Sequence, residues 1–183
     1  MIDLLSILSL AMILTSLVVF GLRNYQAAIY VYALQTALLV SIFLLLSTTH
    51  LAEQLCTWAL IAFFTKVILI PIVLLRLVKR MGVVSEDEPV MGFFVSPIIA
   101  ISFSLAIAMS IYPTYMKFSL IPESIPLIAS ITIFMIGIFG FILRNSAIKQ
   151  ILAYCMFENG IHLSLALMAY NSPEIAELGI LTD

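Results

Sequence analysis

Charge is what this sequence most lacks. Only 10% of its 183 residues are charged, whereas 63% are hydrophobic, and the mean hydropathy is +1.21. A soluble domain is about half apolar and about a quarter charged. A small water-soluble fold keeps much of its surface against solvent and could not hide so much apolar side chain. The bilayer must be the solvent. Eight Lys and Arg against ten Asp and Glu leave a net charge of −2, which says little about partners because the charges sit mainly between apolar runs. There is no basic stripe, which argues against a nucleic-acid partner.

Other absences narrow the chemistry. The two cysteines, Cys56 and Cys155, both fall inside apolar runs. They read as small buried side chains rather than as a disulfide or a metal site. No cysteine cluster could hold iron–sulfur, and only His162 is a histidine at depth, which argues against bis-histidine haem. No Gly-rich phosphate loop is present, so ATP hydrolysis is not expected. No nucleophile–base pair argues for hydrolysis. The nine methionines are scattered and read as packing filler. No cofactor is expected, and the chain alone does not read as an oxidoreductase.

What is there is a series of apolar runs. A helix of about 20 apolar residues spans the hydrocarbon core. Six runs qualify: Leu4–Gly21, Ala27–Thr48, Leu55–Val78, Gly92–Tyr112, Pro126–Leu143 and Ile151–Tyr170. The expected fold class is therefore all-α, a polytopic transmembrane bundle. The first run has Asp3 as the one charge before it and no clear small-residue cleavage site after it, so it reads as a retained helix. Asn171, Ser172, Pro173 and Glu174 form a good helix start, and Ile175, Leu178, Ile180 and Leu181 continue it apolar up to Asp183. That segment reads as the start of a seventh helix.

Lysine and arginine placement sets the expected orientation. Arg23, Arg76, Lys79, Arg80, Arg144 and Lys149 fall at one side of the runs, Lys117 at the other, and Lys66 inside one. The N-terminus is expected outside and the basic turns in the cytoplasm. The most hydrophilic connection, Lys79 to Pro89, carries Glu86, Asp87 and Glu88. A weak internal repeat overlays the second run on the sixth, pairing Gln26 with Gln150, Tyr30 with Tyr154 and Gln35 with Asn159. Such a repeat would be a parallel one, as some transport proteins have. Chance similarity explains it equally well.

Ionisable groups at membrane depth are costly and are functional candidates for that reason. Lys66 lies near the middle of the third run, ~16 Å from either end at 1.5 Å per residue. It needs a carboxylate, a carbonyl or water as partner, or must be neutral. Pro71, five residues on, removes a backbone hydrogen bond and is expected to kink the helix. Tyr154, Glu158 and His162 recur every four residues and are expected to share a helix face, with Gln150 extending the stripe. A phenol, a carboxylate and an imidazole in a row could hand protons along. The plainer reading for Lys66, Glu158 and His162 is interhelical polar packing. Asp183 is a further candidate relay. Gln35 reads as packing glue and Glu53 as an interfacial loop residue.

Two stretches carry a resemblance. One runs Gln150-Ile-Leu-Ala-Tyr-Cys-Met-Phe-Glu-Asn-Gly-Ile-His-Leu and continues through Pro173-Glu174 to Asp183. The other is Ala52-Glu-Gln-Leu, then Trp58, then Phe64-Thr-Lys-Val with Pro71. Together they resemble the hydrogenase-4 component E family, with residues from about 80 to 125 matching in hydropathy alone. That resemblance implies a membrane-arm subunit of a respiratory-type membrane-bound nickel–iron hydrogenase related to complex I. It divides the chain into an N-terminal three-helix unit at 1–80, an acidic linker with the fourth helix at 81–125, and a C-terminal unit at 126–183. The last unit is similar to the K subunit of complex I and the C subunit of multisubunit sodium/proton antiporters. In the K subunit a glutamate of the second helix takes part in proton transfer, and Glu158 stands at the matching place. The resemblance also implies a seventh helix.

The function expected is thus a non-redox subunit contributing to proton or sodium movement. Lys66 and Glu158 would be protonatable stations, with Tyr154, His162 and Asp183 as relays. Its partners would be antiporter-like and quinone-site-like membrane subunits, a peripheral nickel–iron hydrogenase module and the lipid of a prokaryotic inner membrane. Two alternatives stay open: a purely structural scaffold subunit of that complex, and an independent secondary transporter.

Overall fold

A computed structural model describes residues 2–50, 53–86, 92–121 and 123–169. The helices are α1 (Ile2–Gly21), α2 (Tyr25–His50), α3 (Glu53–Ala62), α4 (Ile70–Met81), α5 (Val95–Met116), α6 (Ser124–Leu143) and α7 (Ala147–Ala169), with a π-helical segment Phe63–Leu69 joining α3 to α4. Among the described residues, six spans are long and apolar enough to cross a membrane: Leu4–Gly21, Tyr25–Thr49, Gln54–Met81, Val95–Met116, Ser124–Leu143 and Ala147–Met168. The polytopic all-α bundle expected from hydropathy is what forms. The reason is simple: a helix satisfies its own backbone in lipid.

Local chemistry fixes where the helices start and stop. Asn24 caps α2, its Oδ1 accepting from the Ala27 amide at 3.0 Å. Gly82 ends α4 in the left-handed conformation (φ 69°), its amide donating to the Val78 carbonyl. The turn after α1 and the stretch after α4 then meet in an isolated antiparallel bridge, Asn24 with Ser85. Tyr25 donates to the Val84 carbonyl and Glu86 to the Arg23 carbonyl, at 3.1 and 3.0 Å.

Helices α1, α2, α6 and α7 form the centre, with α3 and α4 packed on α2 and α5 packed on α6. The tightest seam is α6 against α7. A Cβ on Gly137 would come within 2.6 Å of Phe157, and one on Gly160 within 2.5 Å of the Phe134 backbone. Glycine is what allows these two backbones to approach so closely. Helices α2 and α7 run parallel: Tyr25 at the start of α2 bonds Ser146 beside the start of α7, and Thr36 further along α2 accepts from Asn159 of α7.

Two expectations need correction. Cys56 is exposed on the outer face of the bundle, while Cys155 is buried; an apolar run does not say which of its faces meets lipid. Pro71 stands in the first turn of α4, directly after the π turns of Phe63–Leu69, and the chain stays helical from Glu53 to Met81. Arg144, Lys149 and Glu86, placed by hydropathy in solvated turns, are buried. Residues 170–183, with Asp183, and Asp87, Glu88 and Pro89 lie outside the described residues, as do the side chain of Glu53 and its surroundings.

Candidate functional site: a polar layer between two apolar cores

The buried apolar side chains fall into two clusters stacked along the bundle. One gathers Met12, Leu39, Phe43, Trp58, Leu127 and Leu163; the other gathers Phe20, Tyr32, Leu74, Ile136, Leu152 and Met156. In sequence, α6 passes from one cluster to the other between Ile133 and Ile136 through apolar residues, but on the other helices of the site a polar residue marks the change. Ser16 does so on α1, Gln35 and Thr36 on α2, Lys66 on the π segment, and Glu158, Asn159 and His162 on α7. All seven are buried. A polar layer therefore crosses the bundle at mid-depth, and it is partly self-satisfied. Gln35 donates to the Ser16 hydroxyl and Asn159 to the Thr36 hydroxyl.

Lys66 is the centre of that layer. Its Nζ lies 3.3 Å from Glu158 Oε2 and 2.9 Å from His162 Nδ1, and its residue exposure is 1%. The π segment matters here because it resets the helical register one residue at a time. Such segments recur at functional sites. Glu158 and His162 stand one turn apart on α7, so one ammonium reaches both. An ammonium offers donors only. With Lys66 charged, Nδ1 accepts and the neutral imidazole carries its hydrogen on Nε2. One proton can thus be held at any of three adjacent atoms, which is the chemistry a relay needs. A buried pair of this kind is weak evidence for stability, because desolvation opposes the Coulombic gain.

Tyr154 sits elsewhere. It is 46% exposed, stacks on Phe157 and meets Phe141 edge-on at the periphery of α7. Each four-residue step turns the helix by about 40°, so a stripe of three such positions drifts around the cylinder. Glu158 and His162 stay on the inner face; Tyr154 does not.

A second charged cluster went unread in the sequence. Arg144 Nη1 meets Glu86 Oε2 at 3.1 Å, and its other terminal nitrogen donates to the Phe20 carbonyl. Lys149 donates to the Val19 carbonyl at 2.6 Å. The two cations thus close the C-terminal end of α1, where unpaired carbonyls and the helix dipole favour positive charge. Arg144 also lies over the rings of Phe20 and Phe93, at 4.4 and 5.6 Å. Burial holds the Glu86 carboxyl above the ordinary carboxylate range, against the opposing pull of Arg144 and Lys149. Burial also brings the Arg144 guanidinium below its ordinary value, with Glu86 opposing. No motif flags this cluster, since it forms from a loop, a turn and a helix start.

Six spans around a buried ionic centre define a multi-pass membrane protein with an ionisable mid-membrane site. Hydrogenase-4 component E of Escherichia coli (strain K12), of Escherichia coli O157:H7 and of Shigella flexneri are each 34% identical over 173 residues, covering 94% of this chain and 79% of theirs. The chain belongs to the hydrogenase-4 component E family. The family model described as NADH-ubiquinone/plastoquinone oxidoreductase chain 4L matches residues 125–183, the part that carries Glu158 and His162. No solved structure gives a match.

Proposed function

We propose that this chain is a non-redox membrane-arm subunit of a hydrogenase complex, and that its Lys66–Glu158–His162 centre takes part in moving protons or sodium across the membrane. Family membership supports the first part. The single observation that supports the second is the contact of Lys66 with both Glu158 and His162 inside the polar layer. The chain carries no redox chemistry of its own in this reading. Hydrogen turnover belongs to a peripheral nickel–iron module, and antiporter-like and quinone-site-like subunits flank the bundle. The basic end, with Arg23, Arg76, Lys79, Arg80, Arg144 and Lys149, faces the cytoplasm of a prokaryotic inner membrane.

The test is Glu158→Gln in the assembled complex. Translocation driven by hydrogenase turnover should fall by ~100-fold, the lower range for loss of a proton-transfer group. Assembly and hydrogenase activity should persist. Substituting sodium-free buffer separates the two ions. The scaffold reading has one observation in its favour: the Lys66–Glu158 pair ties the α3–α4 arm to α7. It predicts that Glu158→Gln lowers assembly, or changes nothing, while translocation per assembled complex stays constant.

A further inference from the structure

The cations at the basic end fall into two groups. Arg144 and Lys149 close the end of α1, and Arg23 donates to the Glu86 carbonyl at 3.3 Å and lies over the Phe93 ring at 5.4 Å. Arg76, Lys79 and Arg80 of α4 are different. All three are exposed, and among the described residues none has a side-chain hydrogen bond or an ion pair.

Their placement follows from the helix period. Pro71, Leu74 and Val78 are the buried positions of α4, which packs on α2. Arg76 stands two residues from both Leu74 and Val78, a rotation of about 200° either way, so it lies on the opposite side. In steps of three and four residues, Leu69, Ile72, Val73, Arg76, Lys79 and Arg80 make one outward stripe. Leu69, Ile72 and Val73 are exposed as well. The stripe is thus apolar over its inner half and basic over its outer half.

Depth sharpens this. Arg76 is ten residues beyond Lys66, about 15 Å along the helix, and half a hydrocarbon core is also about 15 Å. With Lys66 at mid-depth, Arg76 sits at the boundary between acyl chains and headgroups, and Lys79 and Arg80 sit one turn further out. The helix dipole accounts for Lys79 and Arg80 in the last turn of α4, but its effect does not extend to Arg76. A cation at that depth is costly without a counter-ion. Among the described residues the carboxylate at this end is Glu86, and it is buried against Arg144. The anion that a bilayer supplies there is a lipid phosphate. Arg76 offers it a planar fork of donors, and two more cations stand one turn away. An acidic protein surface would match the cations but not the apolar half of the stripe below them.

We propose that the outward face of α4 binds an anionic phospholipid of the leaflet at the basic end, with its phosphate on Arg76, Lys79 and Arg80 and an acyl chain along Val73, Ile72 and Leu69. The site is independent of any transport through Lys66, Glu158 and His162.

The experiment places the full complex in phosphatidylcholine nanodiscs doped with either phosphatidylglycerol or phosphatidylcholine that carries a photoactivatable diazirine on an acyl chain. Labelling is mapped by mass spectrometry at Leu69, Ile72 and Val73, and at Ile98 and Met109, exposed apolar positions of α5. The site predicts that the anionic probe labels the α4 stripe at least about fivefold more than the neutral probe, the effect of one Lys or Arg beside an anionic headgroup. Labelling of α5 should not distinguish the two probes. In the triple variant Arg76→Gln, Lys79→Gln, Arg80→Gln the preference at α4 should vanish. Equal labelling of α4 by the two probes in wild type overturns the site, as does a preference that survives the triple variant or that α5 shares. An α4 stripe labelled by neither probe overturns it too, since a protein neighbour then covers that face. Should the triple variant fail to assemble, Arg76→Gln replaces it, and an undiminished preference overturns the site.

Discussion

Two buried charge clusters, at different depths of the same bundle, are built in opposite ways. The mid-depth centre has one cation serving a carboxylate and an imidazole, and all three groups can gain or lose a proton. The cluster at the basic end has two cations serving one carboxylate and two backbone carbonyls. Carbonyls cannot be titrated, and arginine stays protonated in proteins. The first arrangement shares its cation between two groups that take up protons; the second, though Glu86 and Lys149 also exchange protons, places two of its contacts on carbonyls that hold the end of α1. The two clusters therefore differ in their partners, not in their burial.

Variants at the two clusters should separate along that line. Arg144→Ala strands Glu86 and the Phe20 carbonyl, and should destabilise the chain by about 3–5 kcal/mol. Thermal unfolding of the purified complex, or its yield in membranes, would register this; an unchanged midpoint would erase the distinction between the clusters. At mid-depth, Glu158→Leu alone leaves Lys66 with a weaker set of partners and should cost a similar ~3 kcal/mol. Adding Lys66→Met should recover most of that, since an apolar pair can replace a buried ionic one. The double variant should then assemble and yet fail to translocate. If it both assembles and translocates, the centre is packing.

Smaller effects test the frame around the clusters. Gly160→Ala places a Cβ within 2.5 Å of the Phe134 amide nitrogen. It should cost about 1–3 kcal/mol by overpacking the α6–α7 seam that presents Glu158 and His162. Asn24→Ala removes the cap of α2 beside the basic-end cluster and should cost about 1 kcal/mol, read as a small shift of the unfolding midpoint. A larger loss there would mean that the Asn24–Ser85 bridge also depends on this side chain.

The spans were legible because the signal is collective. Some twenty apolar residues in a row have one low-energy state in lipid, so each boundary fell within a few residues of the helix observed. Lys66 and Glu158 were legible as individuals because the cost of burying them stands out against such a background. His162 was weaker alone, and Tyr154 was drawn in by a spacing that ignored helical drift. Glu86, Arg144 and Lys149 could not be found this way. Each lies at the margin of an apolar run, where charge is ordinary, and their burial depends on the approach of elements more than fifty residues apart.

The sequence by itself thus determined that the chain lives in a bilayer, where the spans among the described residues run, and which ionisable residues lie at depth. It could do so because hydration cost is set residue by residue. Which side chains meet was decided by tertiary structure. The parallel packing of α2 and α7, the glycine-lined approach of α6 to α7 and the π turns before Pro71 place Lys66 between Glu158 and His162. Partners depend on how helices are rotated about their axes, and a rotation of a few tens of degrees changes them without altering hydropathy.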